Sequence, residues 1–281
     1  PKTAWPPTWI NERGLMGGQL YYREFAHFAD KAIPGTLKIQ PPYVVYHVLA
    51  QCATVAEAAD LLKNKVTIMN LPLFGSVPTL HWAFSDRTGE MIVVEPDRDG
   101  LKVYRNTIGV MTNSPGYSWH RLNLLNYAGI RDLDYDVLDL ESDRLNQCFS
   151  GSGAQGLPGD WSSPSRFIRL AFLKKYCVKG RDESQGVANM LHLFQSAAFP
   201  LGIVRITEQG TVTEYDKDIS PYDYTVYTSI MCGESLRFYW TTYQNQQIQC
   251  VDMNHLKKGM KAVQFDLEQP PNLHLLSCPE K

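Results

Sequence analysis

Residues 81–104 carry the runs His81-Trp82-Ala83-Phe84-Ser85, Met91-Ile92-Val93-Val94-Glu95 and Leu101-Lys102-Val103-Tyr104, separated by Asp86-Arg87-Thr88-Gly89 and Asp97-Arg98-Asp99-Gly100. Short β-prone runs broken by Asp and Gly turns predict an antiparallel meander. Upstream, residues 14–22 are small and then apolar, ending in Leu20-Tyr21-Tyr22, as in a buried strand. Pro41-Pro42 sets the start of a helix running to Gln51, and Thr54-Val55-Ala56-Glu57 is a capping-box pattern that opens a second helix through Leu62. Downstream, residues 117–127 return to helical composition. Ser163-Pro164 then opens a helix with Phe167, Leu170, Ala171 and Leu173 on its apolar side. A further helix is predicted over 183–195, and strands over 202–207, 222–231, 236–243 and 247–251. Segregated antiparallel strands and helix pairs argue for an α+β fold and against a doubly wound parallel sheet. No repeat or linker divides the chain, so residues 1–281 read as a single domain. The irregular stretch 149–164 is long enough to line a site.

Composition narrows the partners. The formal net charge is −2 and the Lys and Arg residues are scattered, which leaves no basic stripe for nucleic acid. No apolar run reaches the roughly 20 residues a membrane-spanning helix needs, and Pro1-Lys2-Thr3-Ala4-Trp5-Pro6-Pro7 is no signal peptide. The chain reads as soluble, with no membrane partner and the cytoplasm as its favoured place. The six cysteines, Cys52, Cys148, Cys177, Cys232, Cys250 and Cys278, form no C-x-x-C pair, so neither disulfides nor a zinc site is expected. Cys52 and Cys177 fall on apolar helical patterns as small hydrophobes. The seven histidines show no ligand spacing, and no metal or cofactor is expected. Gly151-Ser152-Gly153-Ala154-Gln155-Gly156 matches G-x-G-x-x-G, but Leu157-Pro158-Gly159-Asp160 continues the loop where a dinucleotide site needs a helix N-terminus.

Three residues stand out by where they fall. Taken alone, Tyr21 ends an apolar strand, Asn113 sits in an Asn-Ser-Pro turn, and Arg166 lies in the first turns of a helix, where its charge opposes the macrodipole unless it has a partner. Each lies in a block: Asn11-Glu12-Arg13-Gly14-Leu15-Met16-Gly17-Gly18-Gln19-Leu20-Tyr21-Tyr22, Gly109-Val110-Met111-Thr112-Asn113-Ser114-Pro115-Gly116-Tyr117, and Ser163-Pro164-Ser165-Arg166-Phe167. With residues 81–95, Leu173-Lys174-Lys175-Tyr176 and Tyr224-Thr225-Val226-Tyr227-Thr228-Ser229, these blocks resemble the choloylglycine hydrolase family over nearly the whole chain. That family contains penicillin V acylases and bile salt hydrolases.

The resemblance implies a four-layer αββα sandwich of the N-terminal-nucleophile hydrolase type, a small-molecule amide as substrate, no cofactor, and assembly as a homotetramer. It implies that a cysteine opening the mature chain attacks a linear C–N amide and forms an acyl-thioester. Asn113 then resembles the oxyanion-hole asparagine, Tyr21 the residue that completes the hole through its backbone N–H, and Arg166 the arginine beside the nucleophile. A tyrosine at position 21 is similar to the penicillin V acylase branch, where bile salt hydrolases tend to carry asparagine; conjugated bile salts remain the alternative substrate. No cysteine of this chain matches the nucleophile, which the resemblance places upstream of Pro1, and Trp9-Ile10 replaces the usual Asp-Gly. Two other readings stay open: a homologue without a nucleophile that binds acyl-amides or acts as a scaffold, and an unrelated α+β enzyme using an internal cysteine.

Overall fold

The computed structural model describes residues 8–73, 75–206, 221–257, 259–267 and 269–277; Pro1, Thr207 and Cys278 lie outside them. The chain opens with the hairpin β1 (Thr8–Ile10) and β2 (Met16–Tyr21). Asn11, 8% exposed, closes it. Its Oδ1 accepts from Arg13 N–H at 3.0 Å and Leu15 N–H at 2.9 Å, and its Nδ2 donates to the Leu49 and Cys52 carbonyls, both at 2.8 Å. One amide thus shapes the turn and satisfies carbonyls that a helix end leaves orphaned.

After β3 (Leu37–Ile39), that helix is α1 (Val44–Gln51), entered through a 3₁₀ turn at Pro41–Tyr43. α2 (Val55–Asn64) follows, its Thr54 hydroxyl accepting from Glu57 N–H at 3.2 Å while the Glu57 carboxylate accepts from Ala53 N–H at 2.7 Å. β4 (Val66–Ile68) pairs in parallel with β3. The predicted meander is β5 (Leu80–Ser85), β6 (Met91–Asp97) and β7 (Gly100–Tyr104). With the first hairpin it forms a five-stranded antiparallel sheet ordered β1-β2-β5-β6-β7.

Alternation decides its two faces. Trp82, Phe84, Ile92 and Val94 are buried with Val44, Val45 and Val48 of α1 and Val55, Ala58 and Leu62 of α2, each side chain of this kind contributing about 1.5–3 kcal/mol by burial. Gly17 permits the approach of α1: a Cβ there would stand 2.7 Å from Val45 and 2.9 Å from Phe84. On the opposite face Val93 packs with Val110, Tyr117 and Phe167.

The helices α3 (Tyr117–Asn123), α4 (Ser163–Tyr176) and α5 (Glu183–Gln195) meet the sequence expectation closely. The stretch between α3 and α4 does not. The hairpin β8 (Val137–Leu140) and β9 (Asp143–Asn146) was not foreseen, because Glu141 turns it at φ 51° without the Gly or Asn that signals such a turn. The expected strands 202–207 and 222–231 also resolve differently. Val204–Arg205 (β10) pairs with Tyr222–Asp223 (β11), and the longer run restarts as β12 (Tyr227–Cys232). β12, β13 (Arg237–Thr242) and β14 (Gln249–Asp252) form a second antiparallel sheet. Thr8 on β1 reaches Ser229 on β12, 3.0 Å between hydroxyls, and Arg87 Nε donates to Gly233 O at 2.7 Å, joining the two sheets. α5 covers β12 and lies against α4. α1 and α2 cover one face of the first sheet and α5 covers the second, the helix and sheet layers of an αββα sandwich.

Among the described residues no helix is long and apolar enough to cross a membrane. Cys52, Cys148, Cys177, Cys232 and Cys250 are free thiols. Burial pushes the Cys52 thiol up to about 11, against the reactivity that a depressed pKa would confer. The glycine-rich run 151–156 forms a short 3₁₀ turn tied by Ser152 to Asp134 and Tyr135, with no helix starting inside it.

Candidate active site

β2 ends at Tyr21, the first of the three candidate residues. Asn11 N–H bonds Leu15 O on the β1 side, and Tyr22 N–H bonds Thr79 O at 2.7 Å on the β5 side. Strand alternation then turns the N–H and C=O of Tyr21 to the β1 side. The β1–β2 register stops at Thr8 opposite Gly18, so among the described residues no strand pairs with Tyr21 there. Its carbonyl is taken by a side chain: Asn113 Nδ2 donates to Tyr21 O at 2.9 Å. Tyr21 is 55% exposed, with Arg23 over the face of its ring at 5.2 Å.

Arg166 completes the group from the first turns of α4. Its Nη2 donates to Asn113 Oδ1 at 2.8 Å and its Nε to Trp161 O at 2.9 Å, while its guanidinium lies 5.1 Å from the Phe199 ring centre. This is the partner that its unfavourable place at a helix start called for. Burial pulls the Arg166 pKa below the ordinary arginine value, nearby Asp223 partly offsets this, and Arg169 adds to it; arginine remains a cation throughout. Because Arg166 can only donate, it holds the Asn113 amide with its oxygen toward the guanidinium and its NH₂ toward Tyr21. One N–H of that NH₂ bonds Tyr21 O. Among the described residues the second N–H makes no other hydrogen bond.

The backbone of Asn113 is held by residues that motif reasoning passed over. His120 Nε2 donates to Asn113 O at 3.0 Å, and Ser163 Oγ, the first residue of α4, donates to the same oxygen at 2.8 Å. Ser114 Oγ donates to Arg23 O at 2.7 Å, fastening the loop just beyond Tyr21. His120 is 2% exposed and stacks on Phe167, 4.5 Å between ring centres. Burial pushes its pKa down, against the raising effect of its bond to Asn113 O, so it serves as a neutral clamp. The sequence carried no sign of this, since each histidine lacks a local ligand or triad spacing.

A cleft of about 580 Å³ opens beside Arg166, bordered by Trp161, Phe199, Val204 and Asp223. The 149–164 stretch therefore does reach the site, through Asp160 and Trp161. Arg169, one turn beyond Arg166, ties this stretch down by donating to the Pro158 and Asp160 carbonyls. Among the described residues no group of three His, Cys, Asp or Glu side chains is placed to hold a metal ion. Chemically, an amide NH₂ whose orientation is fixed by a neighbouring cation suits a carbonyl oxygen gaining negative charge.

Residues 7–266 match the family model of linear amide C–N hydrolases, choloylglycine hydrolase family. The chain belongs to this family. A bile salt hydrolase/transferase of Clostridium perfringens is 36% identical over 247 residues, covering 87% of this chain and 71% of that protein. A bile salt hydrolase/transferase of Lactiplantibacillus plantarum is 31% identical, over 88% and 72%. Among solved structures, a mutant of the conjugated bile acid hydrolase from Clostridium perfringens superposes with a TM-score of 0.85 at 33% identity, over 96% of this chain and 80% of that one. A penicillin V acylase from Agrobacterium tumefaciens gives a TM-score of 0.63 at 20% identity, over 88% and 66%; this likeness is one of fold. Membership in a family of linear amide hydrolases therefore stands, and the named relatives lean to the bile salt branch rather than the acylase branch that Tyr21 had favoured.

Proposed function

We propose that this chain forms the oxyanion hole and cation of an amidase that hydrolyses conjugated bile salts, with a cysteine outside these 281 residues as nucleophile. The observation that carries the reading is the Asn113 amide, fixed between Tyr21 O and Arg166 Nη2 with its NH₂ turned toward the backbone of Tyr21, as an oxyanion-hole asparagine would be held. A thiolate adding to the amide carbonyl would place the oxyanion against these donors, and Arg166 would favour both the thiolate and the charge that passes to oxygen. The proton that the thiol gives up to the nucleophile's own α-amino group passes to the leaving nitrogen as the tetrahedral adduct collapses, which expels the amine and leaves an acyl-thioester. Water then attacks that ester at the same hole, releasing the acid and the thiol.

The bile salt preference rests on relatives 36% and 31% identical. A second reading, an aryloxyacyl substrate such as penicillin V, rests on the tyrosine at position 21. The apolar side chains Leu138, Leu140 and Leu145, all exposed on the β8–β9 hairpin, would suit a protein–protein contact; the homotetramer is carried over from the family resemblance.

The test is intact mass and N-terminal sequencing of the purified polypeptide, followed by turnover of glycine- or taurine-conjugated bile salts and of penicillin V. The reading requires iodoacetamide-sensitive amine release that is faster from bile salts. Faster cleavage of penicillin V would move the assignment to the second reading. Absence of thiol-dependent hydrolysis of either would leave a binding or scaffold protein.

A further inference from the structure

Behind Tyr21 and Asn113 lies a buried polar cluster that the reaction does not touch. His81 on β5 and Glu95 on β6 are each 1% exposed, and His81 Nδ1 donates to Glu95 Oε1 at 3.3 Å. Both carboxylate oxygens of Glu95 also accept from Tyr117 N–H, at 2.8 and 3.0 Å. The His81 ring stacks on Tyr22, 4.5 Å between centres and 6° from parallel, and Tyr22 Oη donates to Asp97 at 2.7 Å. Gly116 is wedged into the same space: a Cβ there would stand 2.7 Å from Tyr22 Oη and 3.0 Å from Glu95 Oε2.

A buried carboxylate is a poor way to gain stability, since a well-packed apolar replacement commonly does as well or better. What the cluster touches suggests another reason for it. Tyr22 directly follows Tyr21, whose C=O accepts from Asn113 Nδ2. Tyr117 begins α3, whose His120 donates to Asn113 O. The two halves of the hole come from segments 92 residues apart, and His81 and Glu95 grip one half each. We infer that the His81–Glu95 pair is a positioning element that fixes the separation of the Tyr21 and Asn113 oxyanion donors. The inference rests on the proposed amidase reading and assigns neither residue a contact with substrate.

Glu95→Gln in the complete enzyme tests it. Both Glu95 oxygens face Tyr117 N–H, so a glutamine sets its NH₂ against that donor whichever way the amide turns, and the Asn113 segment must shift. A sub-ångström misplacement of an oxyanion donor costs up to the 10²–10³-fold of losing it. The expected result is a kcat lowered 10- to 100-fold, KM within twofold, and an unchanged rate of alkylation of the nucleophile by iodoacetamide. Alkylation displaces iodide and builds no oxyanion, so it reports the thiol without the hole. Should Glu95→Gln not fold, Gly116→Ala perturbs the same junction without unpairing a charge and is expected to give the same split. Unchanged kcat in a folded variant, or kcat and alkylation falling together, would overturn the inference while wild-type turnover upholds the amidase reading. A wild-type enzyme that cleaves no amide would overturn both.

Discussion

Replacing Asn113 by aspartate separates the two jobs of this side chain with almost no change of shape. The Oδ1 that faces Arg166 Nη2 at 2.8 Å persists and becomes half of an ion pair. The NH₂ that faces Tyr21 O at 2.9 Å becomes a second carboxylate oxygen, setting acceptor against acceptor. Losing one neutral hydrogen bond costs the fold about 1 kcal/mol, which the charge-assisted bond to Arg166 offsets in whole or part. The reaction has no such compensation. Removal of one oxyanion donor lowers kcat about 10²- to 10³-fold. A carboxylate about 4 Å from the developing oxyanion adds repulsion of up to about 4 kcal/mol at an effective dielectric of 20, before Arg166 screens it. Asn113→Asp is therefore expected to lose at least about 10³-fold in kcat, more than Asn113→Ala, with a melting temperature within a few degrees of wild type. Steady-state kinetics on a conjugated bile salt, with calorimetry on the same samples, measures both. An aspartate variant within about tenfold of wild type, or one more active than the alanine variant, would refute the assignment of Asn113 as a donor.

Arg166→Ala removes the cation and frees the Asn113 amide to turn over; kcat/KM should fall about 10²-fold or more, with slower iodoacetamide alkylation of the nucleophile, and normal kinetics would remove Arg166 from the site. Asn11→Ala leaves two N–H groups and two carbonyls of a buried turn without their partner, so urea unfolding should show a loss of about 2–4 kcal/mol, and a loss below about 1 would mean that water replaces the side chain. His120 has a folded pKa below its ordinary 6.5, so between those two values the unfolded chain binds the extra proton and stability rises with pH. Lowering the pH from 7 to 5 should thus destabilise wild type more than His120→Gln, and equal slopes would show that His120 is not held neutral.

Much of the fold was legible because its signals are local. The capping box at Thr54 and Glu57, the Asp-Gly turns around β6, and the Ser-Pro start of α4 each specify a boundary from neighbouring residues alone. The misreadings occur where local and tertiary preferences part. In 222–231 continuous β propensity concealed a break: Tyr222–Asp223 pairs with β10, while Tyr227 starts a different sheet beside Thr242. Propensity reports whether a residue fits a pleated surface and says nothing of which strand it joins.

The site was legible in a different sense. Tyr21, Asn113 and Arg166 came from family blocks, and the structure joins the three through Asn113, which bonds both Tyr21 and Arg166, but composition and spacing supplied none of that. Their bonds span 92 residues for Tyr21–Asn113 and 53 for Asn113–Arg166, and no pattern in a window of 20 residues can encode such pairings. The supporting residues were harder still. Ser163, which looks like an ordinary helix-start serine, donates its hydroxyl to Asn113 O rather than capping its own helix. His120 and Glu95 look like a lone histidine on a helix and an acidic end to an apolar strand. Each becomes functional only through what surrounds it, because a neutral imidazole and a buried carboxylate are costly unless backbone groups meet them. Here the groups that meet them are the Asn113 carbonyl and the Tyr117 N–H, two of the points at which the loop carrying the proposed oxyanion donor is held.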